Sequence, residues 1–464
     1  MSSTRTLLQN QTIAFDVSYN ESSAWQEVDS DLPHAEEKNH HLWHRHIGKA
    51  IGSLLFNAGY SPEAQRQSLD FFKQHVAPFL GVFQAAGENY KNPWQSFMTD
   101  DGTPMELSWD WGTNDSRPTI RYSVEPIGLQ AGTPADPKNM MAGSLMQESL
   151  NRALPDMNLE WYRYFKDFFD GSGEETSDLS SSIILRWFRF VKDLLIGPAG
   201  NPKLQDHNTS IFYAFDITEK DTTAKVYYFP KYRAMSTGKS NLEVLLEGMR
   251  CAPHITGDNI PALSVFSAFA NDTANKELEY EMLAIDLIDP RKSRFKIYFR
   301  SRETSFDSLR NILSMGGRIK GPNIQKGLDD LHQLWNAIFG VDAPSSDHLK
   351  DVKHRTAGML YNVEFRIGDQ FPVAKLYLPV RHYAASDQKV ISGLDTYFKT
   401  HKRGSYMSAY SRTMNSLFGS GALASKADIH TYIGCTIRPD GSLRVVSYFK
   451  APFPEAADLV ERSS

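Results

Sequence analysis

The stretch Arg294-Phe295-Lys296-Ile297-Tyr298 decides how the chain is read. Alternate side chains of a β-strand face opposite sides, so Arg294, Lys296 and Tyr298 stand in one file while Phe295 and Ile297 face the other way. The same writing recurs as Lys225-Val226-Tyr227 and Lys375-Leu376-Tyr377, with Arg121 opening a comparable strand and Tyr448 closing the last. A single Lys-x-Tyr is ordinarily the wet face of a surface strand. Recurrence around positions 121, 225, 296, 375 and 448 instead marks a repeated unit.

Each occurrence sits in a predicted hairpin: 104–111 with 119–127, 210–217 with 224–232, 280–288 with 294–300, 359–367 with 373–383, and 429–438 with 442–449. Turn residues such as Asp289-Pro290, Gly368-Asp369 and Pro439-Asp440-Gly441 join the strands. The first hairpin is expected to bring Glu106 near Arg121. Apolar residues at helical spacing predict helices over 39–57, from the Ser61-Pro62 start to about 79, and over 139–153, 159–169, 180–195, 241–251, 260–270, 305–314, 323–338, 389–402 and 405–418. The unit is helix, helix, strand, strand, written five times.

Hairpins separated by helices close most economically into one barrel, because closure removes strand edges and helices cover the outward apolar residues. The expected fold is therefore α+β, a closed antiparallel barrel of about ten strands surrounded by helices, built from α-α-β-β repeats. A solenoid of five units is the alternative. One barrel domain is expected over 39–464, preceded by a flexible arm over 1–38. A barrel this wide is not filled by its own side chains, so the inward polar files should line a chamber.

The composition sets limits. The 464 residues, 41% hydrophobic and 23% charged, are those of a globular protein, and a net charge of -5 provides no global basic field for nucleic acid or an anionic membrane. The first 38 residues lack an apolar signal core, and no apolar run reaches the ~18 residues of a membrane span. A soluble cytoplasmic protein, monomeric or homodimeric, is expected. Cys251 and Cys435 form no disulfide framework or metal-ligand spacing and read as free buried thiols. His40, His41, His44 and His46 read as one face of an amphipathic helix rather than a metal site.

Arg121, Lys225, Arg294, Lys296 and Lys375 converging in a chamber of low dielectric call for a ligand with several negative charges, and a diphosphate fits. If that diphosphate departs, the organic remainder is a cation. Tyr227, Tyr298, Tyr377 and Tyr448 can stabilise it through their ring faces and exclude water. No phosphate-binding Gly-x-x-x-x-Gly-Lys loop is present. The acidic pairs Asp100-Asp101 and Asp329-Asp330 lack a further aspartate, and Asn271-Asp272 with Glu279 matches a metal motif poorly. The diphosphate is expected to be held by side chains, with no required cofactor and with divalent metal at most stimulatory.

Five further stretches carry a resemblance: Gly102-Thr103-Pro104-Met105-Glu106-Leu107-Ser108, Ile120-Arg121-Tyr122-Ser123-Val124-Glu125-Pro126, Leu159-Glu160-Trp161, Lys292-Ser293 with the decisive strand, and Gly316-Gly317-Arg318. From about Leu42 to Phe453 the chain resembles the fungal aromatic prenyltransferases of the dimethylallyl tryptophan synthase type, which have an α-β-β-α barrel. The resemblance implies metal-independent transfer of a dimethylallyl group from dimethylallyl diphosphate to an electron-rich ring in secondary metabolism. It implies that Arg121, Lys225, Tyr227, Arg294, Lys296, Tyr298, Tyr377 and Tyr448 hold the diphosphate and shield the cation, and Lys375 is expected to join them from its own strand file. It also implies that Glu106 accepts the ring N–H, and that Phe212, Phe229, Glu281 and Tyr432 line the acceptor pocket.

The chain departs from the family's tryptophan-specific members at Phe212, where they place a lysine, at Glu281, where they place an arginine that grips the amino-acid carboxylate, and at Lys375, where they place a glutamine. A glutamate at 281 is expected to repel a free carboxylate. The expected acceptor is therefore an indole without one, a tryptophan-containing cyclic dipeptide or an indole alkaloid or terpenoid, with a polycyclic phenol second. A non-catalytic binder of an isoprenoid or polyanion is a further alternative, and Glu106 argues against it, since a carboxylate inside an anion site only costs affinity.

Overall fold

A computed structural model describes residues 23–30, 39–83, 94–170, 207–340 and 344–452. Its ten strands are β1 (Met105–Gly112), β2 (Thr119–Val124), β3 (Ile211–Ile217), β4 (Thr222–Tyr228), β5 (Glu279–Asp286), β6 (Phe295–Ser301), β7 (Met359–Phe365), β8 (Val373–Leu378), β9 (His430–Ile437) and β10 (Leu443–Lys450). Each pairs antiparallel with its neighbours in sequence, and β1 pairs with β10 to close the barrel. A solenoid is thereby excluded. Within the described residues the helix pairs between hairpins fall where periodicity places them, for example Pro261–Ala270, Phe306–Leu313 and Pro322–Phe339.

The alternation read from β6 decides which face is which. Phe295, Ile297 and Phe299 point outward yet are fully buried, because helices cover them, and Trp161 stacks on Phe295 at 4.3 Å. Lys296, Tyr298 and Arg300 point inward. The pairing register then sets charges opposite one another across the strands: Arg121 faces Asp216, Lys225 faces Asp286 and Lys296 faces Glu364. Opposite charges at paired positions stabilise one register over a one-residue slip, which would turn every cation outward into apolar packing.

Several expectations are corrected. Residues 380–383, read as the end of a strand, form the helix Val380–Tyr383, and Tyr232 lies in the helix Lys231–Thr237. Pro379 and Pro230 precede these turns and cannot donate to a ladder. Glu106 pairs with Ser123 and lies diagonal to Arg121, whose ion-pair partners are Asp110 and Asp216. Cys251 is exposed, while Cys435 is buried. Part of the segment read as a loose arm is packed: the helix Ser23–Ser30 buries Ala24 and Val28 against the helix Pro62–Phe71, and Glu27 meets Arg66 at 2.8 Å. The helix predicted over 180–195 lies outside the described residues.

The outer layer tolerates little added volume where helices cross. In the helix Asp387–Thr400, Gly393 faces the backbone of the helix Pro322–Phe339 so closely that a Cβ would lie 2.8 Å from the Ala337 carbonyl oxygen. A helical Gly→Ala change ordinarily stabilises by up to about 1 kcal/mol, but here main chain must move. Gly393→Ala is expected to destabilise the fold by about 1–3 kcal/mol in chemical denaturation; an unchanged or raised midpoint would show that the helices separate freely.

Candidate active site

Inside the barrel, two adjoining cavities meet at one collar of rings. Tyr227, Tyr298, Tyr377 and Tyr448 line both. They stand on β4, β6, β8 and β10 as successive neighbours, with ring centroids 5.7 Å (Tyr227 to Tyr298), 5.9 Å (Tyr298 to Tyr377) and 5.5 Å (Tyr377 to Tyr448) apart. The hydroxyls of Tyr298 and Tyr377 share a hydrogen bond of 3.3 Å, Asn362 donates to Tyr377 at 3.0 Å, and Lys375 donates to Tyr448 at 2.6 Å. Hydroxyls tied to one another and to neighbouring polar groups leave the ring faces as the surface a ligand meets.

On one side of the collar the wall is cationic. All five basic residues read from the sequence are there, joined by Arg438 and Arg444, which sequence reading missed. Arg444 was legible, because it lies on the same file of β10 as Tyr448. The missed counterpart is a set of carboxylates. Asp286 accepts from Arg294 at 2.7 and 3.0 Å and from Lys296 at 2.8 Å, and Glu364 accepts from Arg294 at 3.1 Å. Asp216 pairs with Lys225 and Arg121, and Asp110 with Arg121 and Arg444. Among the described residues, seven cations thus stand against four carboxylates, which leaves a surplus of three positive charges when every amine is protonated.

Burial tends to raise the Asp216 and Asp286 carboxyls, but the cations around them outweigh it and hold both well below the usual range. The amines move the other way. Burial, with help from Arg294 and Lys225, lowers Lys296 to about 8, and burial together with Arg121 and Arg444 lowers Lys375 to about 7. Such a wall binds a multiply charged anion readily, because the anion relieves repulsion among cations that already bear the cost of desolvation.

Across the collar, Glu106 accepts a 2.6 Å hydrogen bond from Thr431, and burial raises its carboxyl to about 7 against the opposing effects of Thr431, Arg381 and Lys375. Phe212 stacks on Tyr227 at 3.9 Å and meets Phe97 at 5.2 Å. Phe229 stands behind them, edge-on to Phe97, and Tyr432 closes the wall beside Tyr377. The segment bearing Phe97 is fastened by Glu125, which accepts from Trp94, Ser96 and Thr209.

Glu281 is where the sequence reading needs revision. It accepts from Arg300 at 2.9 Å, and Arg300, almost wholly buried, also donates to the Thr356 carbonyl. The charge expected to repel a carboxylate is therefore already neutralised. Arg381 pairs with Asp100, and Arg355 lines the same cavity with the Phe97 carbonyl as its hydrogen-bond partner among the described residues. Arg300 could have been found, since it continues the file of Arg294, Lys296 and Tyr298. Arg355, Arg381 and Thr431 left no periodic signal: the first lies in a loop, the second in a four-residue helix and the third at the irregularity of β9 where Tyr448 pairs with Tyr432 and Phe449 with His430.

Comparison with known proteins is consistent with this geometry. Residues 39–413 match the family model described as tryptophan dimethylallyltransferase. A 4-O-dimethylallyl-L-tyrosine synthase of Claviceps purpurea is 33% identical over 89% of this chain and 88% of its own length. A 7-dimethylallyltryptophan synthase of Aspergillus fumigatus is 31% identical over 88% and 84%. Among solved structures, AnaPT from Neosartorya fischeri superposes with a TM-score of 0.76 at 22% identity, covering 93% of this chain and 98% of that one, which bears on the fold alone.

Removing one of the cations should register in anion affinity before any chemistry. Arg294→Ala and Lys296→Ala are each expected to weaken binding of inorganic diphosphate about tenfold or more in titration calorimetry. Unchanged affinity in both would place the anion site elsewhere.

Proposed function

The chain belongs to the tryptophan dimethylallyltransferase family and is an aromatic prenyltransferase, and from that premise we propose that it moves a dimethylallyl group from dimethylallyl diphosphate to a free aromatic amino acid by electrophilic substitution. The observation that carries the reading is the collar of tyrosines shared by a cationic cavity and a carboxylate-bearing aromatic one.

The cationic wall holds the diphosphate, and its attraction grows as the carbon–oxygen bond breaks and negative charge collects on the leaving oxygen. Its surplus of three charges stands where a metal would otherwise be needed, so the reaction proceeds without an obligatory divalent ion. The allylic cation passes the collar, whose ring faces stabilise it and keep water out. On the far side Glu106 accepts the proton of the acceptor's N–H or O–H and so raises the electron density of the ring or oxygen under attack.

A free amino acid is favoured over the carboxylate-free indole expected from Glu281 alone. That expectation needed an unpaired negative charge, and Arg300 sits on it. The pairs Arg300–Glu281 and Arg381–Asp100, with Arg355 lining the same cavity, offer a zwitterion a site for each charge. The relatives named for tyrosine and tryptophan products suggest L-tyrosine first and L-tryptophan second. The apolar wall of Phe97 and Phe212, backed by Phe229, keeps one second reading in view, a bulkier neutral indole such as a tryptophan-containing cyclic dipeptide.

Catalytic efficiencies on L-tyrosine, L-tryptophan and a cyclic dipeptide of tryptophan test the reading. One of the free amino acids should lead, and Arg355→Met should raise its KM about tenfold while sparing the corresponding amine without a carboxylate. A lead for the cyclic dipeptide, unaffected by Arg355→Met, would favour the second reading. Glu106 must be ionised to act, so turnover should climb as pH rises through about 7. Glu106→Gln should lower turnover by about two orders of magnitude or more and abolish that climb, with diphosphate affinity kept. Equal losses of affinity and turnover would make Glu106 structural.

A further inference from the structure

The mechanism above leaves a proton on Glu106, on the acceptor side, while the negative charge it balances has gone with the diphosphate on the other. We propose that Lys375 and Tyr448 form a relay that carries this proton across the collar to the departing diphosphate. The proposal rests on the prenyl-transfer reading and on Glu106 as its proton acceptor.

Tyr448 lines both cavities, and Lys375 lines the cationic one. They are joined by the 2.6 Å hydrogen bond, and Lys375 lies over the rings of Tyr377 and Tyr448 at 4.3 and 4.9 Å from their centroids. The space for this contact is built into the strand between them. Gly434 on β9 faces Tyr377 of β8 on one side and Val446 of β10 on the other, and a Cβ there would fall 2.8 Å from Lys375 Cε and 2.9 Å from Tyr448 Cε2. Any larger residue would drive the pair apart. On the acceptor side, Tyr448 pairs with Ser108, so Glu106, two residues earlier on β1, is its diagonal neighbour on the same inward face.

Lys375 differs from the other lysines of the wall. Lys225 and Lys296 each lie within salt-bridge distance of a carboxylate, whereas the partner at Lys375 Nζ is a phenol. Arg121 on β2 and Arg444 on β10 press on it with like charge. Asp110 on β1 and Glu364 on β7 oppose them from farther off, and Glu106 feels Lys375 across the collar. A buried ammonium so placed parts with its proton readily, and a diphosphate oxygen gaining charge is the natural taker.

The proton count closes. The carbon–oxygen bond of the donor breaks and its electron pair stays on the diphosphate, while the acceptor's electron pair forms the new bond to the dimethylallyl carbon. Lys375 gives a proton to the diphosphate and becomes a neutral amine. Glu106, having taken the acceptor's proton, passes it to the Tyr448 oxygen as the Tyr448 O–H proton moves to Lys375, so no phenolate stands free. The net result is prenylated acceptor, protonated diphosphate, ionised Glu106 and protonated Lys375, ready for another turn.

The relay predicts opposite pH requirements at its two ends: Glu106 must start ionised and Lys375 protonated. Turnover should therefore fall again above the pH at which Lys375 deprotonates. Lys375→Arg keeps the charge but replaces the amine with a group that holds its proton throughout this range. With dimethylallyl diphosphate and L-tyrosine, L-tryptophan or the cyclic dipeptide, whichever the wild type turns over, Lys375→Arg and Tyr448→Phe should each lower kcat about tenfold to a hundredfold. The donor KM should stay within about threefold, which also certifies the fold. Lys375→Arg should move the alkaline decline to higher pH, where Lys296 parts with its proton, and the double variant should be no slower than the slower single one, since both remove one device. Lys375→Gln should show the same loss of kcat with weaker donor binding. Wild-type turnover and an unchanged alkaline decline in Lys375→Arg would overturn the relay, as would multiplicative losses in the double variant. Failure of the wild type to prenylate any of the acceptors would instead remove the reading on which the relay stands.

Discussion

A surplus of buried positive charge is the constraint on which the rest of the molecule depends. Seven cations cannot be gathered in a low-dielectric chamber unless their repulsion is offset, and four carboxylates interleaved among them do so in part. The offset is incomplete by about the charge of an organic diphosphate. On the proposed reading the diphosphate supplies the last counter-charge of the wall, and a closed barrel suits such a site. Closure leaves no strand edge through which water or another chain reaches the charges, and the helical layer lets the outward face be as apolar as Phe295, Ile297 and Phe299.

The collar turns that electrostatic site toward chemistry. A binder of polyanions would gain nothing from four phenol rings beside its cations, or from a carboxyl beyond them whose burial raises it to about 7. Both make sense when the anion leaves behind a carbocation that must be shielded from water and directed at a nucleophile. Lys375 lies over two rings of the collar, on the side of the cationic wall. On the proposed reading the tyrosines serve both as shield and as the boundary the proton must cross.

Much of this was legible in the sequence because a barrel strand repeats with period two, and period two survives translation into a list of residues. The files through Lys225, Lys296 and Lys375 announced the inward face, the hairpin count announced closure, and the same period would have yielded Arg300 and Arg444. What escaped has physical reasons. The carboxylates Asp110, Asp216, Asp286 and Glu364 become part of the site only through register, which the sequence of one strand does not contain. Arg355 and Arg381 reach the cavity of Glu106 from a loop and a short helix outside the repeat. Glu281 was judged without its partner, because only the pairing of β5 with β6 brings Arg300 onto it.

The central claim, that side-chain charge alone completes the diphosphate site, is tested most directly by equilibrium binding of an unreactive thiolodiphosphate analogue of dimethylallyl diphosphate, measured by calorimetry with excess chelator and again with magnesium. The account predicts binding in chelator within about threefold of that in magnesium, weakening as salt rises because the contacts are ionic. Binding that vanishes in chelator and returns with magnesium would contradict it.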